Sequence, residues 1–296
     1  MVEPFAFVLN VIARTADELA GPLRAIAAAH GAAGDIDWLA EGEAFDIAFA
    51  SQPEAVLAAA RAAAAGHAAD INVVPAARRR KRLLIADMDS TIITVECLDE
   101  IADMLDLKAE IAAITERAMR GEIAFEPALR ERVAMLKGLR LDALEQVMRE
   151  RIHLTTGARA LVMTMRRHGA RTLLVSGGFT FFTQRVAVAA GFDAQRANHL
   201  LDDGTFLTGR VGEPILGRQA KLETLEAEAA RLGLAQSDTL AVGDGANDLA
   251  MIERAGLGVA FHAKPVVAEA AAARLDHADL HGLLYLQGYR TTEFVT

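Results

Sequence analysis

Short apolar runs and helix-spaced alanine and leucine tracts alternate along the first quarter of the chain. This pattern predicts strands over residues 5–12, 36–39, 44–50 and 71–74, with helices over 16–30 and 53–65. A different regime starts at Leu83. Leu83-Leu84-Ile85-Ala86 is a continuous apolar run, as expected of a strand buried on both faces, and it stops at two aspartates, Asp87 and Asp89. Apolar positions then recur at helical spacing, predicting helices over 95–105, 108–120, 126–136 and 141–150, and no strand until about Arg171. Met104, Leu105, Val133, Met135 and Leu136 are the expected core of these four helices. A helix over 158–168 leads back to strands at 171–175, 239–242 and 256–260, with helices through residue 189 and over 221–232. Asp202-Asp203-Gly204 marks a hairpin turn between two strand-like runs in 199–211.

The order strand–helix–strand–strand–helix–strand at the start is the split βαβ, ferredoxin-like pattern, and it predicts a small α+β unit over residues 1–76. Residues 77–296 read as an α/β unit: a doubly wound, parallel, Rossmann-like sheet with strands alternating with helices. The four helices inserted after the first strand of that unit, at about 95–155, predict a helical cap over the sheet's edge. Gly138 and Gly157 are positioned either as hinges for the cap or as plain helix ends.

Composition narrows the class. The 296 residues are 52% hydrophobic, but much of that is alanine, and no uncharged apolar stretch approaches the ~18 residues a spanning helix needs. Met1-Val2-Glu3-Pro4 lacks the basic region of a secretory signal, so a soluble, cytoplasmic protein without membrane contact is expected. Cys97, the sole cysteine, excludes an intrachain disulfide and is expected to pack as a small hydrophobe. A net charge of −9 argues against nucleic acid as a partner, so an anionic substrate would need local positive charge. The basic run Arg78-Arg79-Arg80-Lys81-Arg82 is short and free of aromatics; it reads as a solvated linker in preference to a nucleic-acid patch.

Three apolar strands end in polar clusters: Asp87 and Asp89, then Ser176-Gly177-Gly178, then Gly243-Asp244-Gly245-Ala246-Asn247-Asp248, with Lys221 ahead of the last. Ligands bind at the carboxyl ends of strands in open α/β sheets. Two carboxylates as close as Asp87 and Asp89 repel, and a cation beside them resolves the repulsion. The alternative for this stretch is an Asp-rich turn that starts a helix, with Ser90 as its N-cap.

These four motifs, in this order, resemble the haloacid dehalogenase-like phosphohydrolases from about Arg82 onward. The cap narrows the likeness to members acting on O-phosphoserine: Glu96 follows the first motif, and Phe125-Glu126 precedes Leu129-Arg130-Glu131-Arg132-Val133-Ala134-Met135-Leu136-Lys137-Gly138. The resemblance implies that Asp87 is the nucleophile, forming an aspartyl phosphate, and that Asp89 is the general acid and base. It implies Mg²⁺ on Asp87, Asp244 and the main-chain carbonyl of Asp89, with Asp248 orienting these ligands or Lys221. Ser176, Gly177, Lys221 and Asn247 would hold the phosphoryl oxygens, Gly177 at a helix start. Glu96 and Arg132 would hold the substrate's amino and carboxylate groups; the alternative for that pair is a surface ion pair. The first unit looks like a degenerate ACT-type module, expected to pack or form a homodimer more than to bind an effector. The activity so implied is the last step of serine biosynthesis. A related phosphomonoesterase or phosphotransferase, or a regulatory amino-acid-binding protein with a decayed phosphatase half, are the alternatives.

Overall fold

The computed structural model describes residues 5–32, 35–119 and 122–296. Met1-Val2-Glu3-Pro4 and Arg120, the expected end of a cap helix, lie outside the described residues. The N-terminal elements come in the expected order: β1 (Phe7–Ala13), α1 (Ala16–Ala28), β2 (Asp37–Ala40), β3 (Ala44–Phe49), α2 (Pro53–Ala63) and β4 (Ala69–Pro75). They form an antiparallel sheet in the order β2-β3-β1-β4. Period-2 alternation divides its two faces. Leu9, Val11, Phe45 and Ile47 pack under the two helices with Leu19, Leu23 and Val56. Val8, Ile12 and Val74 face the other way and join the core of the rest of the molecule.

The second sheet has six parallel strands in the order β12-β11-β10-β5-β6-β7. After β5 (Leu83–Ala86) the chain forms the four cap helices α3 (Cys97–Met104), α4 (Lys108–Met119), α5 (Phe125–Ala134) and α6 (Leu141–Glu150). Val133 and Leu136 are fully buried there, and Met104, Leu105 and Met135 pack partly buried against the same core. Next come α7 (Ala158–Arg167), β6 (Arg171–Phe179), α8 (Thr180–Ala190), β7 (Ala194–Asn198) and the hairpin β8 (Leu200–Asp202) and β9 (Leu207–Val211). The remainder is α9 (Arg218–Arg231), β10 (Thr239–Gly243), α10 (Leu249–Arg254), β11 (Leu257–Phe261), α11 (Pro265–Ala270), β12 (Ala273–Leu275) and α12 (Gly282–Leu286). Helices on both faces of a parallel sheet make it the doubly wound α/β fold expected. Among the described residues no helix is long and apolar enough to cross a membrane.

The hairpin holds the cap. Its main chain exchanges hydrogen bonds with the turn between α5 and α6: Gly138 N–H to Leu207 O (2.9 Å), Leu207 N–H to Leu139 O (2.8 Å) and Leu141 N–H to Thr205 O (3.0 Å). Gly138 has φ +82 here and Gly157, also at φ +82, precedes α7, where a Cβ would lie 2.6 Å from the His281 nitrogen.

The basic run is not a solvated linker. Arg78 pairs with Asp238 at 3.1 Å, and Arg80 pairs with Glu293 at 2.9 Å while stacking 4.1 Å over Tyr289. Arg79 forks onto Asp46 of β3 and donates to Tyr285 O and Leu286 O (3.0 and 2.9 Å). Lys81 is buried, its ammonium on Arg78 O and Ser237 O, both at 2.8 Å. Opposite charges for these cations are scattered over more than two hundred positions of sequence, so only the folded chain reveals them. The run straps the N-terminal sheet to the C-terminal segment.

Candidate active site

Strand β5 pairs with β10 on one side and β6 on the other, so Asp87, Asp244 and Ser176 leave the sheet at one edge. Nothing starts a helix at Asp87. Asp89 is extended, Ser90 takes the left-handed conformation at φ 55, and a π-type turn over Met88–Ile92 redirects the chain toward the cap. Ser90 is therefore no N-cap: its hydroxyl donates instead to Glu96 Oε1 at 2.6 Å. The first cap helix begins only at Cys97, which is buried as expected and whose N–H donates to Asp89 Oδ1 at 2.9 Å. Burial pushes the Cys97 thiol well up, so it is inert.

Lys221 sits in the first turn of α9, 2% exposed, between two carboxylates. Its ammonium is 2.7 Å from Asp87 Oδ1 and 2.6 Å from Asp248 Oδ1. Burial alone would lower its pKa, but the charges of Asp248 and Asp87 outweigh that and hold it raised, so it stays charged. Asp87 Oδ1 also accepts the Met88 N–H (2.8 Å), which leaves Oδ2 as the oxygen free to react. Asp248 Oδ2 takes the Gly245 N–H, and a Cβ at Gly243 would lie 2.3 Å from the Asp248 carboxyl, so the glycine is what lets that carboxylate lie on the strand end.

Asp89 is wedged between cap and sheet. Its Oδ2 accepts the Ser176 hydroxyl at 3.0 Å, and Ser176 Oγ in turn accepts the Gly178 N–H at 2.8 Å. Burial first, then the charges of Glu96 and Asp87, push its carboxyl up to about 7. Gly177 is not at a helix start. Strand β6 runs on through a register shift to Phe179, so Gly177 is extended backbone three residues ahead of α8, and no helix terminus lies behind its N–H.

A cavity of about 450 Å³ joins these groups. Asp87, Asp89, Ser176, Gly177, Asp244 and Asn247 line its floor, and Glu96 and Arg132 line it from the cap. Lys221 and Asp248 lie behind the floor. Glu96 and Arg132 form no ion pair with each other. Arg132 is held by its own helix, Nε to Ala128 O (3.2 Å), and by Thr115 (3.4 Å), while Glu96 holds Ser90. Thr115, Phe179 and Lys264 also line the cavity and belong to no motif of the sequence, while Phe125 does so from within the cap motif.

The floor fits a metal ion. Carboxylate oxygens of Asp87, Asp244 and Asp248 lie within 4.8 Å of one another, and an all-oxygen set suits a hard divalent cation. Burial first, then the neighbouring charges of Asp87 and Glu96, push Asp244 up to about 6. Asp248 pairs with Lys221 at 2.6 Å and is part of the same acid cluster.

Comparison with known proteins agrees with this architecture. The haloacid dehalogenase-like hydrolase family matches residues 84–253. A phosphoserine phosphatase of Polaromonas sp. is 47% identical over 210 residues, covering 69% of this chain and 89% of that protein. Among solved structures, a HAD family hydrolase from Salmonella enterica serovar Typhi superposes with a TM-score of 0.85 at 30% identity, covering 96% of this chain and 98% of that one. A phospho-aspartyl intermediate analogue of phosphoserine phosphatase superposes with a TM-score of 0.63 at 39% identity, over 69% of this chain and 98% of that one. With its sheet, cap and four motifs in this arrangement, the chain belongs to the haloacid dehalogenase-like hydrolases, in their phosphoserine phosphatase branch.

Proposed function

We propose that this chain hydrolyses O-phosphoserine to serine and phosphate through an aspartyl phosphate on Asp87, as the closing step of serine biosynthesis in the cytoplasm. The observation that carries the substrate is the pair Glu96 and Arg132. They face one cavity from the cap without neutralising each other, so an ammonium and a carboxylate on one small molecule can meet one each. The phosphate of that molecule then reaches the floor.

Asp87 Oδ2 attacks phosphorus, and the bond from phosphorus to the serine oxygen breaks. A covalent intermediate divides one hard displacement into two easier ones. Asp89, with its carboxyl pushed up to about 7, holds a proton near neutral pH and gives it to the departing oxygen. The resulting carboxylate takes a proton from the water that attacks the aspartyl phosphate. Lys221 pairs with Asp87 and stabilises the phosphoryl oxygens from behind, while Ser176, Gly177 and Asn247 supply donors from the other walls. Because the Cys97 N–H at the start of the cap grips Asp89, the cap's position sets the orientation of the acid.

The cation is proposed to be Mg²⁺, held by Asp87, Asp244 and the Asp89 carbonyl with Asp248 bracing Lys221; when bound it offsets the repulsion between the phosphate and Asp87. The N-terminal unit, ending near residue 76, is proposed as a fixed buttress of the catalytic body, since its open face lies against the C-terminal segment.

The test is a panel of phosphorylated metabolites with and without Mg²⁺, scored by free phosphate, on wild type and Arg132→Ala. Arg132→Ala should cut phosphoserine turnover far more than turnover of p-nitrophenyl phosphate. An equal loss on both would remove the basis for phosphoserine.

A further inference from the structure

The cavity is short of usable positive charge. Asp87, Asp89, Glu96, Asp99 and Asp244 line it, against Arg132 and Lys264. Lys221 is enclosed between Asp87 and Asp248 and cannot meet a ligand until it has reached the floor. Arg132, braced on its own helix and on Thr115, is assigned to the substrate's carboxylate and not to its phosphate. The whole chain is acidic besides, so a phosphomonoester dianion approaches against the mean field.

Lys264 is placed differently. It is exposed, sits between β11 and α11, and has no carboxylate within ion-pair distance among the described residues. Its backbone is fixed: the Lys264 N–H donates to Asp244 O at 3.1 Å, and His262 just before it takes a left-handed turn at φ 44. It lines the same cavity as Glu96 of the cap and Asp244 of the floor while remaining exposed, which puts it where the cavity opens to solvent. We propose that Lys264 is a substrate-steering residue, a cation at the entrance that draws the phosphate dianion past the acids toward the floor without taking part in its chemistry. This deepens the phosphatase reading and rests on it.

A steering charge has a particular kinetic signature. It raises the rate of productive encounter, which enters kcat/KM, and it is screened by salt within a Debye length of ~8 Å at 0.15 M ionic strength. The experiment compares wild type with Lys264→Gln, Lys264→Glu and Lys264→Arg on O-phosphoserine and on p-nitrophenyl phosphate, at fixed Mg²⁺, in low salt and in 0.5 M NaCl, ~3- to 4-fold above physiological ionic strength. At low salt Lys264→Gln should lower kcat/KM about fivefold, Lys264→Glu by more, and Lys264→Arg hardly at all, with kcat nearly unchanged. In high salt the four proteins should converge. The proposal is overturned if Lys264→Gln matches wild type at low salt, if the loss persists in high salt, or if kcat falls as far as kcat/KM. Wild type that cleaves the aryl ester but not phosphoserine would sink the substrate assignment alone, and the Lys264 comparison would still be read on the aryl ester.

Discussion

Two regions of this molecule bury carboxylates, and they solve the problem in opposite ways. At the seam between the N-terminal sheet and the C-terminal segment, Asn10 stands in register with Asp46 on one side and Asn72 on the other, a polar row on the face away from the helices. The buried acids on that face, Asp46 and Asp70, are answered by the chain itself. Asp46 has Arg79 and Asn10, Asp70 accepts N–H groups from Asp276, His277 and Ala278 (2.6–3.2 Å), and Asn72 pairs with both main-chain groups of Arg274 at 2.9 Å. At the strand ends, by contrast, Asp87 and Asp248 share Lys221, and Asp89 and Asp244 have no cation within ion-pair distance among the described residues. Buried acids that have all their donors are structure; buried acids left with a surplus of negative charge are waiting for a ligand.

Substitutions that separate activity from stability sharpen this contrast. The largest effect belongs to the sheet edge: Asp87→Asn should lower phosphate release by about 10⁴-fold or more, leaving the melting temperature the same or higher, because it removes one of several mutually repelling charges. Steady-state turnover and a thermal melt on one preparation check both halves. A fall in stability as large as that from the seam variants would break the distinction. Next, Arg79→Met leaves Asp46 buried without its cation and should destabilise the fold by about 3–5 kcal/mol, measured by urea unfolding, with kcat within about twofold of wild type. Asp70→Asn puts an amide where only acceptors fit, and a loss of about 1–3 kcal/mol is expected in the same assay.

The smallest effect is pH-dependent. The hydrogen bond that His281 Nδ1–H donates to Asp279 raises the His281 pKa above its ordinary 6.5, against the opposing pull of burial. A histidine whose folded pKa is raised contributes stability that is complete below about pH 6.5 and fades as pH climbs through the raised value. His281→Gln should therefore be less stable than wild type at pH 5.5 by only a few tenths of a kcal/mol, since the pair is partly exposed, and equal to it at pH 8.5. Melting both proteins across that range decides it; a constant difference would mean packing, not charge.

Sequence alone carried the parts of this molecule whose signal is local. The apolar run into Asp87, the polar ends of β6 and β10, and the helical spacing of the cap each depend on neighbours within a few residues, and each was readable. Features set by distant partners were not. Arg78 to Lys81 looked like a solvated linker because Asp46, Asp238 and Glu293 are remote in the chain. Strand β7 is largely polar and β12 is only three residues long, so their pattern is faint. The apolar run of β6 ends at Val175 with a helix expected next, which puts Gly177 at a helix start; the pairing of β6 with β7, which extends the strand to Phe179, is tertiary. Lys264 had no motif to announce it, only a position that the β11–α11 turn creates.

The central claim is a covalent bond at Asp87, and it can be read directly. The protein with Mg²⁺ would be mixed with ³²P-labelled O-phosphoserine, quenched in acid during turnover, digested and sequenced by mass spectrometry. The account predicts label on the peptide containing Asp87, removed by hydroxylamine as an acyl phosphate must be, and absent from Asp87→Asn. Brisk phosphate release with no labelled peptide, or label on another residue, would contradict it.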